Sequence, residues 1–170
     1  MNFDTYTDRA RTVIQTAQGL AMKAKNQQFA PEHVFRALME EESGLAPNLI
    51  KAAGGRADLA SDLAKRAVDA LPKVEGGSGQ LYLAPKTAEV LNAAEEAAKK
   101  AGDQYVTAER LLLALLITPG TAPFDILKQA GVTAQSLNTA INAVRQGRTA
   151  DSASSEDSYE ALKKYARDLT

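Results

Sequence analysis

Cysteine and tryptophan are absent from this chain of 170 residues, and histidine occurs once. Without cysteine there is no disulfide, no thiolate nucleophile and no thiolate zinc site. The lone His33 has no second imidazole beside it in the sequence, so a structural or surface role is expected. A reducing cytosol suits such a chain. Aromatic residues make up only 5%, so Leu, Ile, Val and Ala must build the core, and Ala buries little area per side chain. An excess of one charge is missing too. The formal net charge is −1, and Lys99-Lys100 or Lys163-Lys164 are too few for the basic stripe of a nucleic-acid binder. Long apolar runs are lacking as well. Leu111–Ile117 falls far short of a membrane span, and Met1–Tyr6 has neither the basic nor the apolar region of a signal peptide. The expectation is a soluble cytoplasmic protein that meets neither nucleic acid nor membrane.

Catalytic signatures are also missing. Gly76-Gly77-Ser78-Gly79 is not followed by Lys-Ser/Thr, so it reads as a connector rather than a phosphate-binding loop. No serine sits in a G-x-S-x-G elbow. Acidic runs such as Glu40-Glu41-Glu42 and Glu95-Glu96 fall on charged helix faces. The chain by itself is not expected to be an enzyme.

What is present is a repeat. Shifted by 77 positions, Val13 meets Val90, Ala17 meets Ala94, Lys23-Ala24 meets Lys100-Ala101, Glu32 meets Glu109, and Ala37-Leu38 meets Ala114-Leu115. Lys51, Ala53 and Gly54 then meet Lys128, Ala130 and Gly131 in the same register. Alanine pairs arise by chance in Ala-rich helices, so the Glu, Lys and Gly matches carry the duplication. Each copy reads as about four helices. Ala10, Val13, Ile14, Ala17, Ala21 and Ala24 recur at helical spacing, as do Leu91, Ala94, Ala98 and Ala101 between Pro85 and Gly102. Further helices are expected from Pro31 and after Thr107, over 46–53 and 124–130, and over 57–71 and 133–145. No strand alternation appears, and the fold class is all-α with a pseudo-twofold duplication.

The expected layout is a domain over 1–146, with repeat one over 1–71 and repeat two over 81–146. The Pro- and Gly-rich stretch Leu71–Gln80 joins them. Residues 147–157, small and polar, read as a flexible linker. The amphipathic piece within 158–170 reads as the start of a further, truncated module. Two acids stand out. Glu32 and Glu109 occupy equivalent first-turn positions, where the helix dipole favours a carboxylate for structural reasons alone. Asp103 adds another acid just before the Glu109 helix, where a turn residue would also serve.

The stretch Phe29-Ala30-Pro31-Glu32-His33-Val34 with Ala37-Leu38, and Gly102-Asp103-Gln104-Tyr105-Val106-Thr107-Ala108-Glu109 with Leu113-Ala114-Leu115, resemble the two halves of the Clp N-terminal repeat. The connector Leu71-Pro72-Lys73-Val74-Glu75-Gly76 and the end Ala161–Thr170 resemble the ClpB-type disaggregase branch. The resemblance implies a substrate-recruiting domain of a homohexameric chaperone that works with a DnaK-type system on unfolded or aggregated proteins. ATP and magnesium would belong to modules outside this chain, which needs no cofactor and is expected to be monomeric alone. The resemblance places substrate binding at Thr7, Asp103 and Glu109, and at an apolar groove matching Leu91, Ala93, Ala97 and Arg110. Ala93, Ala97 and Arg110 depart from the family's larger apolar choices, which weakens such a groove. Arg110 either brings a charge into it or folds back onto a nearby acid with its stem lining the surface. The rival is an adaptor- or degron-binding module of the protease-linked Clp type, in which Glu32 and Glu109 bind a modified cationic group on tagged substrates, such as the guanidinium of phosphoarginine.

Overall fold

The structure is a computed structural model that describes residues 2–75 and 80–156. Gly76–Gly79 of the connector and the amphipathic piece within 158–170 lie outside the described residues. Repeat one contains α1 (Asp8–Lys23), α2 (Pro31–Glu40), α3 (Leu45–Ala52) and α4 (Ala57–Asp69). Repeat two contains α5 (Pro85–Lys100), α6 (Ala108–Ile117), α7 (Ala122–Gln129) and α8 (Ala134–Arg145). Each helix of the second set begins 77 positions after its counterpart, at Pro85 for Asp8, Ala108 for Pro31, Ala122 for Leu45 and Ala134 for Ala57. The duplication expected from the sequence is therefore the architecture.

Local chemistry explains the helix starts. Thr7, Thr107, Thr121 and Thr133 are N-caps whose hydroxyls accept from the backbone N–H of Ala10, Arg110, Phe124 and Ser136. Ala30 offers no acceptor at the start of α2. There Pro31 removes one orphan donor, and His33 Nδ1 accepts the Ala30 N–H at 3.0 Å. Helix α6 is apolar around most of its circumference, and Ala108 through Leu116 are all buried. A helix with that pattern belongs at the centre, and α6 packs on α1, α2, α3, α5, α7 and α8. Among the described residues no single helix is long and apolar enough to cross a membrane.

The repeats share one core rather than standing side by side. Helix α2 meets α6 and α7, α3 meets α6 and α8, and α4 meets α7. Strand pairing, which the sequence pattern did not suggest, ties them further. Strand β1 (Gln28–Phe29) runs parallel to β2 (Tyr82–Leu83), and Tyr6 bridges Val106 in the same sense. These two pairings are related by the same 77-residue shift. Ala84 N–H donates to Phe29 O at 3.1 Å, and Thr7 N–H donates to Val106 O at 2.9 Å. The entry to each repeat thus pairs with the α1–α2 or α5–α6 turn of the other. Such two-residue pairs are too short to show alternation, which is why only the fold reveals them.

After α8, Gln146 and Gly147 take left-handed conformations, with φ of 52° and 82°. They turn the chain back across repeat two. Within the stretch expected to act as a linker, Ala150 O accepts from the Gln104 and Tyr105 N–H groups, and Ala153 O accepts from Asp8 N–H at 2.8 Å. The linker therefore has a docked position. The connector after α4 runs over repeat one at the matching place, where Val74 N–H donates to Lys25 O.

One backbone contact between repeats leaves no room for a side chain. A Cβ on Gly55 would lie 2.6 Å from Val132 Cγ2 and 2.9 Å from Ile50 Cγ2. Next to it, Arg56 N–H donates to Ala130 O at 2.8 Å. Gly55→Ala is predicted to destabilise the domain by about 1–3 kcal/mol in urea unfolding, the usual cost of overpacking. An unchanged midpoint would contradict this close approach.

Candidate functional site

Four segments meet at one end of repeat two: the cap of α1 at Thr7, the α5–α6 turn with Asp103, the first turn of α6, and the last turn of α8. Arg145 stands at their centre and is 2% exposed. It sits four residues after Ile141 and eight after Leu137, on the face that α8 buries. Its Nη1 donates to both oxygens of Asp103 at 2.7 Å, its Nε to Glu109 Oε1 at 2.9 Å, and its Nη2 to Thr107 Oγ1 at 3.0 Å. Burial penalises the guanidinium charge. Glu109 and Asp103 outweigh that, so its pKa is raised further and it stays charged.

Arg110 is the second cation. It is buried, and its Nε reaches Asp103 Oδ2 at 3.3 Å while Nη1 reaches Asn138 Oδ1 at 3.4 Å. It has folded back onto an acid, one of the two courses open from sequence. Two cations, Arg110 and Arg145, thus face two acids, Asp103 and Glu109, so this inner set is neutral. Asp103 Oδ1 also accepts the Ala150 N–H at 3.0 Å. Burying ions costs several kcal/mol each, which only close pairing and hydrogen bonding offset.

A third acid comes from the docked linker. Glu156 Oε2 accepts the Ala108 N–H at 2.7 Å, at the start of α6. Burial first, and the Glu109 charge second, push Glu156 from the usual 4.5 up to about 8; the Thr7 hydroxyl, the Ala108 N–H and Arg9 oppose the rise. Glu156 Oε1 and Glu109 Oε2 are buried and lack a hydrogen-bond partner among the described groups. A proton on Glu156 removes one of two like charges and supplies a donor in the region where both carboxyls lack one.

Repeat one builds the same frame with neutral chemistry. Asn26 and His33 stand 77 positions before Asp103 and Arg110. His33 Nε2 lies 2.8 Å from Asn26 Oδ1, and Asn26 Nδ2 donates to Pro72 O at 3.0 Å. Burial lowers the His33 pKa, so it stays neutral, in keeping with the structural role expected from sequence. The counterpart of Arg145 is Val68. Glu32 is half-buried in the first turn of α2, and burial raises its pKa. It takes no part in the repeat-two cluster described here.

Beside the charged cluster lies a groove of about 690 Å³, with Ala93, Ala97, Leu113 and Ile117 as its apolar part. Arg110 and Arg145 contribute to its lining, and Gly147, Arg148 and Thr149 form one side. Leu91 is buried in the core and does not line it. The structure therefore brings Thr7, Asp103, Glu109 and Arg110 together, sets Ala93 and Ala97 alongside, and leaves Leu91 and Glu32 apart. Sequence reasoning missed Arg145 and Glu156. A cation at a position spaced like Leu137 and Ile141, where repeat one has Val68, was the available signal. Glu156 had none, because its neighbours are polar and without period. Among the described residues no group of three or more His, Asp or Glu side chains could hold a metal ion.

Two predictions test this geometry. Arg145→Met leaves Asp103 and Glu109 buried without their main cation, and is predicted to cost about 3–5 kcal/mol in urea unfolding. A loss below about 1 kcal/mol would contradict the central role of Arg145. The second concerns pH. The docked pKa of Glu156 lies above its ordinary value, so docking binds a proton. Its contribution is full below about 4.5 and is lost as pH rises through about 8. Protection of the Asp8 and Ala108 amides in hydrogen exchange, corrected for intrinsic rates, is predicted to be higher at pH 6 than at pH 9. Glu156→Gln is predicted to flatten the difference, and equal protection in the unaltered chain would refute the assignment.

The Clp repeat (R) N-terminal domain family matches residues 5–130. Over 170 residues the chain is 55% identical to the chaperone protein ClpB of Mesorhizobium japonicum, and over 171 residues 53% identical to that of Rhodopseudomonas palustris. Both alignments cover 100% of this chain and 20% of the relative. The fold matches the N-terminal domain of Hsp104 from Candida albicans with a TM-score of 0.79 at 24% identity, covering 90% of this chain and 99% of that one. With the duplicated helices and both motif halves in register, the chain belongs to the Clp repeat N-terminal domain family, in the form carried by ClpB chaperones.

Proposed function

We propose that this domain recruits client proteins for a ClpB-type chaperone, by weak contact with exposed apolar segments of unfolded or aggregated chains. The observation that carries this is the 690 Å³ groove, whose open apolar part is Ala93, Ala97, Ala101 and Ile117 beside the Asp103–Arg110 pair. Ile117 is 43% exposed, and its apolar surface is available to a partner. Each alanine offers little apolar area, so little is buried per contact, and affinity and sequence preference are both low. The charges of Arg110 and Arg145 are spent on Asp103 and Glu109, so they line the groove without demanding an anion.

The rest of this reading concerns the remainder of the relatives' length, of which this chain spans one fifth. There we place the ATP- and magnesium-binding modules, the hexamer, the link to a DnaK-type system and the cytoplasmic setting. Six tethered domains would add avidity that one isolated copy lacks. The degron-binding alternative requires an available carboxylate at Glu109. Its Oε1 is bonded to Arg145, and the relatives at 55% and 53% identity are ClpB chaperones, so the client reading is preferred.

The test is an NMR titration with unfolded casein. Shifts are predicted at Ala93, Ala97 and Ile117, with weak, fast-exchange binding. Ala93→Leu with Ala97→Leu is predicted to tighten binding about tenfold by adding apolar area. No shifts in the groove at high casein concentration, or no gain from the leucines, would overturn the proposal.

A further inference from the structure

Four of the residues that line the groove are cations, Lys100, Arg110, Arg145 and Arg148, and one is an acid, Glu96. Arg110 and Arg145 are buried and hold Asp103 and Glu109, so that set is neutral. Lys100 and Arg148 differ from them. Both are exposed, and neither side chain is hydrogen-bonded or ion-paired with a described residue. Two free cations against one acid leave the groove positive, on a chain whose formal net charge is −1. Lys100 has a structural reason for its place. It ends α5, where the helix dipole favours a cation, and Lys23 ends α1 in the same way. Arg148 follows the turn at Gly147, outside any helix, and has no such reason. Its counterpart 77 positions earlier is Leu71, just as Val68 and His33 stand for Arg145 and Arg110. Three of the four cations are thus particular to repeat two.

We propose that Lys100 and Arg148 select clients by charge: the groove takes apolar segments flanked by aspartate or glutamate in preference to those with neutral or basic flanks. The inference rests on the client-recruiting reading above and names the class of segment that the groove prefers. Ala93, Ala97 and Ile117 offer area to an aliphatic or aromatic side chain, and a flanking carboxylate answers the two exposed cations. A lysine flank meets like charge there and is disfavoured. The selection concerns charge rather than the order of residues, so it is compatible with a low sequence preference. An exposed ion pair is worth about two- to threefold in affinity, so the two together give about fivefold at low salt. At 1 M salt the Debye length is about 3 Å, and the preference is screened away.

The experiment measures, by fluorescence anisotropy, the affinities of three end-blocked peptides that share one leucine- and phenylalanine-rich middle and carry aspartate, glutamine or lysine flanks. At low salt the unaltered chain is expected to bind the aspartate peptide about fivefold more tightly than the glutamine peptide, and the lysine peptide least. At 1 M sodium chloride the three affinities are expected to converge. Arg148→Gln is expected to reduce the aspartate preference to about two- to threefold. Lys100→Glu with Arg148→Glu is expected to reverse the order, so that the lysine peptide binds best, a gain that a misfolded domain would not show. Lys23→Glu, in repeat one, is expected to leave the order as it was. Equal affinities for the three peptides, an order that survives the double reversal or changes with Lys23→Glu, or no peptide binding by a chain that binds unfolded casein, overturns selection by Lys100 and Arg148 while leaving client recruitment standing. No binding of any peptide or of casein overturns both.

Discussion

Repeat two is organised around a guanidinium that has been taken out of water. Arg145 makes hydrogen bonds to Asp103, Glu109 and Thr107, which belong to the α5–α6 turn, the first turn of α6 and its cap. Each of those positions is constrained by the need to meet it. Asp103 must sit at the turn that Gly102 opens with a φ of 79°, and Thr107 must serve both as N-cap and as acceptor. Loss of one partner would leave the others charged and dry, which is far costlier than never having built the cluster. The network fixes where α5, α6 and α8 end relative to one another, and hence the shape of the groove between them.

That constraint explains why two copies of one sequence pattern are not two copies of one site. Repeat one closes the same corner with His33 and Asn26, kept neutral by burial, and with Val68 in place of Arg145. A neutral hydrogen-bonded pair next to an apolar side chain has low desolvation cost and no residual field. Repeat two carries ions, a Glu109 carboxyl oxygen without a hydrogen-bond partner among the described residues, and the docked Glu156 in the same region. Duplication supplied the frame, and differences at a few buried positions gave the two halves different polar chemistry, neutral in one and charged in the other.

Much of the fold was legible in the residues. The helical spacing of Val13, Ala17 and Ala21 against Val90, Ala94 and Ala98, with Gly54 against Gly131, was enough to read eight helices in two sets, because buried faces and helix stops are local properties. The cross-pairing of Tyr6 with Val106 and of Phe29 with Leu83 was not legible, since two-residue pairs have no period. The site was legible in part. Thr7, Asp103, Glu109 and Arg110 do converge, whereas Leu91 turned into the core and Glu32 stayed in the other repeat. Arg145 was missed because a charge on a mostly apolar helix face reads as solvated until tertiary packing shows what meets it. The docking of residues 150–156 was hidden for a different reason. Asp103 and Glu156 apart, it uses main-chain groups, and main-chain groups are the same in every sequence.

The claim on which everything else turns is that client contact belongs to repeat two, although repeat one has the same helices. It can be tested with a photo-crosslinking amino acid placed at position 97 and, separately, at position 20, which is its counterpart 77 residues earlier. Leu20 and Ala97 are both partly buried on equivalent helices, so local exposure does not bias the comparison. Irradiation with unfolded casein is predicted to give strong crosslinks from position 97 and few from position 20. Equal yields from both, or a higher yield from position 20, would contradict the account.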